Sequence, residues 1–177
     1  MSNENGLIDS VEVIHKDKNG KIIRKHKLNS SLKHRFLVKL GLAHNSITQY
    51  GMAECARLVT GTGGIGFGFV AIGTGILADN VFDSMMGNEK KRKVVVATRV
   101  TTTYTNDTSQ WVATFSSTDG LTGTDAIDEV GILNAATVGI LYLHISGATN
   151  YGAADSCNWT NGDTLTLTVK CQQKQGV

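Results

Sequence analysis

Three glycines supply the first spacing that could do chemistry. Gly61, Gly63 and Gly66 match G-x-G-x-x-G, which in dinucleotide-binding proteins lets the backbone approach a pyrophosphate. That chemistry requires a helix directly after the glycines, because the amides of its first turn hold the phosphate. Here the chain continues as FGFVAIGTG, which alternates like a strand, and Gly-Lys-Ser/Thr is absent. The sequence therefore predicts a turn that enters a core strand, a second turn at IGTG, and no nucleotide site.

Histidines could bind metal, but their spacing is not that of a metal site. None of the five histidines forms H-x-x-x-H or H-E-x-x-H. Asn19-Gly20 predicts a type I′ hairpin, and pairing around that turn places His15 opposite Arg24 and Ile14 opposite Lys25. We therefore expect solvated hairpin histidines. We expect His144, within YLHIS, to be a half-buried strand residue with a satisfied hydrogen bond.

Carboxylates cluster between residues 119 and 129. Asp119, Asp125, Asp128 and Glu129 could surround a calcium ion, but the D-x-D-x-D-G spacing is absent. We interpret them as a polar turn in which Glu129 meets a base such as Arg99. The chain also has no G-x-S-x-G. The sequence thus predicts no catalytic residue, no cofactor and no metal, and we expect the chain not to be an enzyme.

The composition is that of a folded protein. The 177 residues are 41% hydrophobic and 18% charged, enough for one domain with an appended N-terminal element. The three cysteines, Cys55, Cys157 and Cys171, lack a C-x-x-C spacing and are expected to be free, buried thiols. The sequence shows neither a signal-peptide pattern nor an apolar membrane span, so we expect cytoplasmic synthesis and no membrane partner.

The elements that would position these residues fall into two predicted units. Residues 1–48 are expected to contain the hairpin and an amphipathic helix, with apolar residues at Leu32, Phe36, Leu37 and Leu40. Residues 49–177 are expected to form a β-sandwich. A second short helix is possible at 45–56, starting at Ser46 with Cys55 and Ala56 facing inward.

Period-two alternation dominates the second unit. It is clearest in two stretches, in which the apolar positions are Trp111, Ala113 and Phe115, then Leu165, Leu167, Val169 and Cys171. Further strands are predicted at 66–72, 92–105, 126–134 and 138–146, separated by Gly-, Asn- and Asp-rich turns. This pattern predicts a mainly β protein, an antiparallel sandwich with one or two short helices. Without proline, its edge strands need cover from another segment or subunit.

Charge is unevenly distributed. Residues 1–100 carry 15 basic and 8 acidic side chains, and residues 101–177 carry 2 basic and 7 acidic ones. The overall charge of +2 does not favour nucleic acid, and the cationic run at 90–93 lacks interleaved aromatics. We predict instead that basic residues contact protein partners; the interface set is Lys16, Lys18, Lys21, Arg24, Lys25, Lys27, Lys90, Lys91, Arg92 and Lys93.

The order of motifs resembles a family of tailed-phage and related virion structural proteins. The resemblance is carried by KNGKIIRKHKLN, FVAIGTG, NVFDSMMGNEKKRK, RVTTTYTNDTSQWVATF, IDEVGILNA, GILYLHIS and GDTLTLTVK. It covers about four-fifths of the chain in order, although the arginine that often follows LNA is missing. The resemblance implies a jelly-roll-like sandwich located in a virion.

The resemblance implies two alternative functions. The first is a capsid decoration, or cement, protein that stabilises the shell by binding the major capsid protein or other virion proteins. We expect such a chain to be a homo-oligomer, most simply a trimer. The alternative is a tail-fibre or receptor-binding component, in which Trp111, Tyr151 and Trp159 would stack on sugar rings. Trp111 alternates with core residues, which favours the first function.

Overall fold

The structure is a computed structural model, and it describes residues 10–29, 45–76, 80, 82–102, 104–146 and 155–172. The described residues form twelve strands and one α-helix. The strands are β1 (Ser10–Lys16), β2 (Ile22–Asn29), β3 (Asn45–Ile47), β4 (Phe69–Gly73), β5 (Glu89–Val94), β6 (Thr98–Val100), β7 (Thr108–Phe115), β8 (Thr124–Ile127), β9 (Glu129–Leu133), β10 (Leu141–Ser146), β11 (Asp155–Asn158) and β12 (Thr164–Gln172). The helix is α1 (Gln49–Thr60).

Two five-stranded antiparallel sheets face one another. The first sheet has the order β2-β1-β12-β7-β6 and the second the order β3-β10-β9-β4-β5; β8 and β11 form a two-stranded ribbon. The predicted alternation is confirmed, because the odd-numbered residues of β7 and β12 from Trp111 and Leu165 onward are buried. They pack against inward residues of the second sheet such as Ile72 and Ile132. The mainly β, sandwich-like fold is therefore confirmed; a jelly-roll connectivity stays a prediction.

The N-terminal hairpin belongs to the first sheet. β1 pairs with β12 from Ser10–Lys170 to Lys16–Thr164, and Val11 and Val13 lie in the sandwich core. The sequence predicts that the hairpin and residues 49–177 form different units. In the structure, the described part of the hairpin belongs to the same sheet and the same core as strands from residues 49–177. The reason is that β1 is apolar on one face and β12 offers it a matching edge.

The hairpin register is as predicted, but the turn is not. His15 lies opposite Arg24 and Ile14 opposite Lys25. The prediction that the hairpin histidines are solvated is wrong for His15, which is buried with its Nε2 3.0 Å from the Asp163 carboxylate. Gly20 alone has a positive φ, of 78°, and its amide donates to the carbonyl of Asp17 at 2.9 Å. The prediction of a type I′ turn is wrong, since that turn needs positive φ at Asn19 too. The Asp17 carboxylate instead accepts the amides of Asn19 and Lys21, each at 2.9 Å, and a bulge after His15 restores the register.

The helix begins later than predicted. Its N-cap is Thr48, whose hydroxyl accepts the Gly51 amide at 2.9 Å, so the predicted start at Ser46 is wrong. Ser46 belongs to β3. Ala56 is exposed rather than inward, while Cys55 packs partly buried against the core. The amphipathic helix predicted near residues 29–41 falls outside the described residues beyond Asn29.

The cysteines are thiols, as expected: Cys157 and Cys171 are buried, and Cys55 is partly buried. No helix in the described part of the chain has the length and apolar character needed to cross a membrane.

Candidate functional site

A buried carboxylate, Glu129, lies at the centre of the most highly connected polar cluster. Glu129 begins β9 and points to the outer face of the second sheet, yet it is only 1% exposed. Its carboxylate accepts three backbone amides, from Gly75 at 3.3 Å, from Asn88 at 3.1 Å and, more closely, from Gly87. One side chain thus joins residues on both sides of the connection between β4 and β5.

Glycines make room for this carboxylate. Gly73 lies directly opposite Glu129 in the pairing of β4 with β9. A methyl group on Gly75 would lie 2.6 Å from Glu129 Oε2, and one on Gly73 would lie 2.6 Å from the carbonyl oxygen of Asn88. The IGTG turn predicted from the sequence therefore has a packing purpose, since its backbone approaches an anion that belongs to the protein itself.

His144 connects Glu129 to a second acid. On β10, its Nε2 lies 2.7 Å from Glu129 Oε1 and its Nδ1 lies 2.6 Å from Asp83 Oδ2. Each nitrogen must carry a proton to donate to a carboxylate, so this geometry is that of an imidazolium between two anions. The predicted satisfied hydrogen bond of His144 is confirmed, and the residue is buried rather than half-buried.

The electrostatics of the cluster favour its charged form. Burial alone would lower the pKa of His144, but hydrogen bonds to Glu129 and Asp83 outweigh it and raise the pKa above the ordinary 6.5. Burial opposes ionisation of Glu129, but hydrogen bonds from His144 and from the amides of Asn88 and Gly87 hold its pKa below 4.5. Glu129 and His144 therefore stabilise one another's ionised state.

Asp128 is the neighbouring acid, and it differs from Glu129. It is buried, and its Oδ1 has no hydrogen-bond partner. Burial, followed by the charge of Glu129, raises the pKa of Asp128 above 3.8. The residue that precedes Glu129 thus shows what burial does to a carboxyl group with an oxygen that accepts no hydrogen bond.

The sequence interpretation of Glu129 is wrong in detail. Glu129 is a strand residue rather than part of a polar turn, and its partners are His144 and three amides rather than Arg99, which is exposed on β6. The partners lie 15 to 54 residues away in the chain, so spacing could not reveal them. The signal available in the sequence was a charged residue, Glu129, within an apolar run, together with the glycines at the end of the strand that pairs with it.

The first glycine group serves a different structure. Gly61 has a φ of 68° and ends α1, donating to the carbonyl of Leu58. The helix thus precedes these glycines, and β4 follows them, as the sequence argument against a dinucleotide site predicts. Glu54 of α1 accepts the Ile65 amide at 2.6 Å and pairs with Arg57 at 2.9 Å. The amide of Ile65 is the largest cause of the lowered pKa of Glu54.

The cationic run at residues 90–93 is largely paired within the chain. Lys90 contacts Asp125 at 2.9 Å and Lys93 contacts Asp119 at 2.8 Å. Arg92 pairs with Glu89 at 2.6 Å and donates to the carbonyls of Ala135 and Val138. Lys91 is half-buried. These contacts assign the carboxylates at 119 and 125 to ion pairs across the sandwich.

The predicted hairpin cations have a different environment. Lys25 pairs with Glu12 at 2.8 Å, and Arg24 is half-buried. Lys18 and Lys21 are exposed at the turn, and neither forms an ion pair with any residue that the structure describes. Lys16 is half-buried, and the side chain of Lys27 lies outside the described part. Among the ten predicted interface residues, the structure thus pairs Lys25, Lys90, Arg92 and Lys93 within the chain and leaves Lys18 and Lys21 exposed at the hairpin turn.

The tryptophans are not available for sugar stacking. Trp111 is buried as predicted, and its indole N–H donates to the Phe67 carbonyl at 2.7 Å. Trp159, expected in an exposed loop, is 0% exposed; it begins a 3₁₀ turn and donates to Asp125 at 2.9 Å. Tyr151 lies outside the described residues. The prediction for Trp159 is wrong because a short capped turn folds its ring into the core.

No group of three His, Cys, Asp or Glu side chains within the described ranges is arranged to hold a metal ion. No protein-family model matches the chain, and neither a curated protein nor a solved structure matches it.

Proposed function

We propose that this chain is a non-enzymatic virion structural protein, a capsid decoration protein that stabilises a shell through contacts between subunits. The motif order that resembles virion proteins provides the virion setting, the jelly-roll connectivity and the trimer. The geometry supports the part of the proposal that concerns assembly. The buried charged groups bind the chain's own backbone, as Glu129, Glu54 and Arg92 each do.

The observation that carries the proposal is the exposed outer strand β2. It ends the first sheet, and no described strand pairs with its outer edge. Ile22 and Ile23 are 50% and 55% exposed there, beside the cations Lys18 and Lys21 at the turn. Apolar side chains on an unpaired edge, bordered by cations, suit a protein partner with an acidic surface.

Two motifs that carry the resemblance lie side by side in the fold. FVAIGTG and IDEVGILNA form the adjacent strands β4 and β9, and their glycines and glutamate meet at Gly73 and Glu129. They therefore specify two paired strands whose glycines surround a buried carboxylate. Such a sheet suits a protein that presents a defined surface to a shell.

Charge reversal at the hairpin turn tests the contact surface. Particles that carry the chain are purified and stripped of it, and variants are then added back. We expect K18E/K21E to lose particle binding, and the charge-matched control R99E/K170E, at two cations outside the predicted interface set, to retain it. Equal binding by both variants and the parent chain would remove the hairpin turn from the interface.

The oligomeric state tests the assembly role separately. Light scattering of the isolated chain is expected to give the mass of a trimer at micromolar concentration. A monomer would contradict the trimer. Absence of the chain from purified particles, or presence in far fewer copies than the shell protein, would contradict the decoration role.

A further inference from the structure

Residues 82–88, which we call the cover segment, lie against the outer face of the second sheet. Asp83 contacts His144, and the amides of Gly87 and Asn88 bind Glu129. Between these anchors, Met86 is only 5% exposed and packs with Ala71, Leu133 and Leu141. A methyl group on Gly131 would lie 2.8 Å from the Met86 sulfur, so the sheet is hollowed to receive this side chain.

The two ends of the cover segment are held differently. The C-terminal end is held by backbone amides that donate to Glu129, and these bonds do not require a titratable donor. At the other end, the Asp83 carboxylate is a hydrogen-bond acceptor, so the Nδ1 of His144 must bear a proton in order to donate to it. The Asp83 side chain is 26% exposed, whereas that of Glu129 is 1% exposed.

We propose that His144 is a proton-controlled latch that holds the cover segment on the sheet while its ring is doubly protonated and releases the Asp83 end when it becomes neutral. A neutral imidazole has one N–H, and two carboxylates compete for it. The remaining proton stays on Nε2, because Glu129 is buried and could not replace a lost hydrogen bond from His144 with one from water. The Nδ1 lone pair then faces the Asp83 carboxylate at 2.6 Å, and Asp83 moves toward solvent.

Release would uncover an apolar surface. Phe82 and Met85 are already 66% and 72% exposed. Movement of the Asp83 end away from the sheet would also expose Met86, which is buried while the segment is bound. Ala71, Leu133 and Leu141 would then face solvent. The latch thus makes an apolar contact surface available once the pH exceeds the pKa of His144.

Among the described residues, the charged groups that contact the ring are Glu129 on β9 and Asp83 on the cover segment. Asp128 precedes Glu129, and the charge of Glu129 contributes to the raised pKa of Asp128. On the other side, β3 pairs Ser46 with His144 and contributes no titratable residue. The pKa of His144 is raised above 6.5, so the latch is closed at and below that pH and opens as the pH rises through the raised value.

Amide hydrogen exchange of residues 82–86, corrected for the intrinsic pH dependence of exchange, tests the latch. We expect exchange there to become on the order of tenfold faster as His144 loses its proton, as for loss of one charge-assisted hydrogen bond. Exchange in β7 and β12 should not follow this titration. Binding of an apolar fluorescent dye should rise over the same pH range.

Variants distinguish the latch from a structural role. In Asp83→Asn the amide can donate to the neutral ring, so the cover segment should remain protected as pH rises. In His144→Gln one donor is lost at every pH, and exchange should be fast throughout. His15→Gln, which removes a buried histidine of the first sheet, should leave the pH response intact. Cover-segment exchange that is unchanged while His144 titrates, or an Asp83→Asn response equal to the parent, would overturn the proposal.

Discussion

The two glycine groups of the chain look alike in sequence and differ in what they face. A methyl group on Gly66 would meet nothing within 4 Å, whereas one on Gly73 or Gly75 would collide with Glu129. The first group includes the end of a helix and a connection into β4. The second lets the backbone close around a buried anion. The spacing of glycines therefore does not reveal whether the backbone approaches another group, and only the fold shows it.

The largest predicted effect comes from removing the anion. Glu129→Ala leaves three amides and a buried imidazolium without their acceptor, and we expect it to destabilise the protein by about 3–5 kcal/mol. Urea denaturation measures the change. The control Glu89→Ala removes a half-exposed acid paired with Arg92, and we expect a loss below about 1 kcal/mol. Equal losses would mean that the glycines do not surround an essential carboxylate.

The next effect comes from filling the space beside Glu129. Gly73→Ala places a methyl group 2.6 Å from the Asn88 carbonyl oxygen and closer still to Glu129 Oε2. Because the backbone contact cannot move as a flexible side chain would, we expect a loss of about 1–3 kcal/mol in thermal or urea unfolding. A stability equal to that of the parent would show that the strands are further apart than described.

The sequence predicted the parts of this fold that depend on local periodicity. Trp111 to Phe115 and Leu165 to Cys171 alternate as read, because burial of one face acts on every second residue of a strand. The His15–Arg24 pairing followed from the chain reversal between them. Trp159 was misjudged because a 3₁₀ turn looks like a loop in sequence. The contact of His144 with Asp83 joins residues 61 positions apart, so only the sheet topology reveals it.

A pH titration of stability sharpens the comparison, because the second glycine group surrounds Glu129 and thereby the pair that it forms with His144. His144 has a raised pKa, so its contribution is complete below 6.5 and lost as the pH rises through the raised value. We expect the free energy of unfolding to fall over that range in the parent. The fall should be absent in His144→Gln when both proteins are measured by urea denaturation. A parallel fall in both proteins would assign it to other groups.

The smallest effect is expected in the first glycine group. Gly66 does not have a positive φ, and its surroundings are open. Gly66→Ala should therefore leave stability within about 0.5 kcal/mol of the parent or raise it slightly, since alanine restricts the unfolded chain. Thermal unfolding measures the change. A loss as large as that of Gly73→Ala would make the two glycine groups equivalent.

In the structure an imidazolium, His144, joins two carboxylates on the outer face of the second sheet. Nitrogen NMR of the ¹⁵N-labelled histidine ring at pH 6.5, the ordinary pKa of histidine, tests this arrangement most directly. We predict that Nδ1 and Nε2 of His144 are both mainly protonated at that pH, and that both signals change when Glu129 is replaced by glutamine. One protonated and one bare ring nitrogen at pH 6.5 would contradict the arrangement.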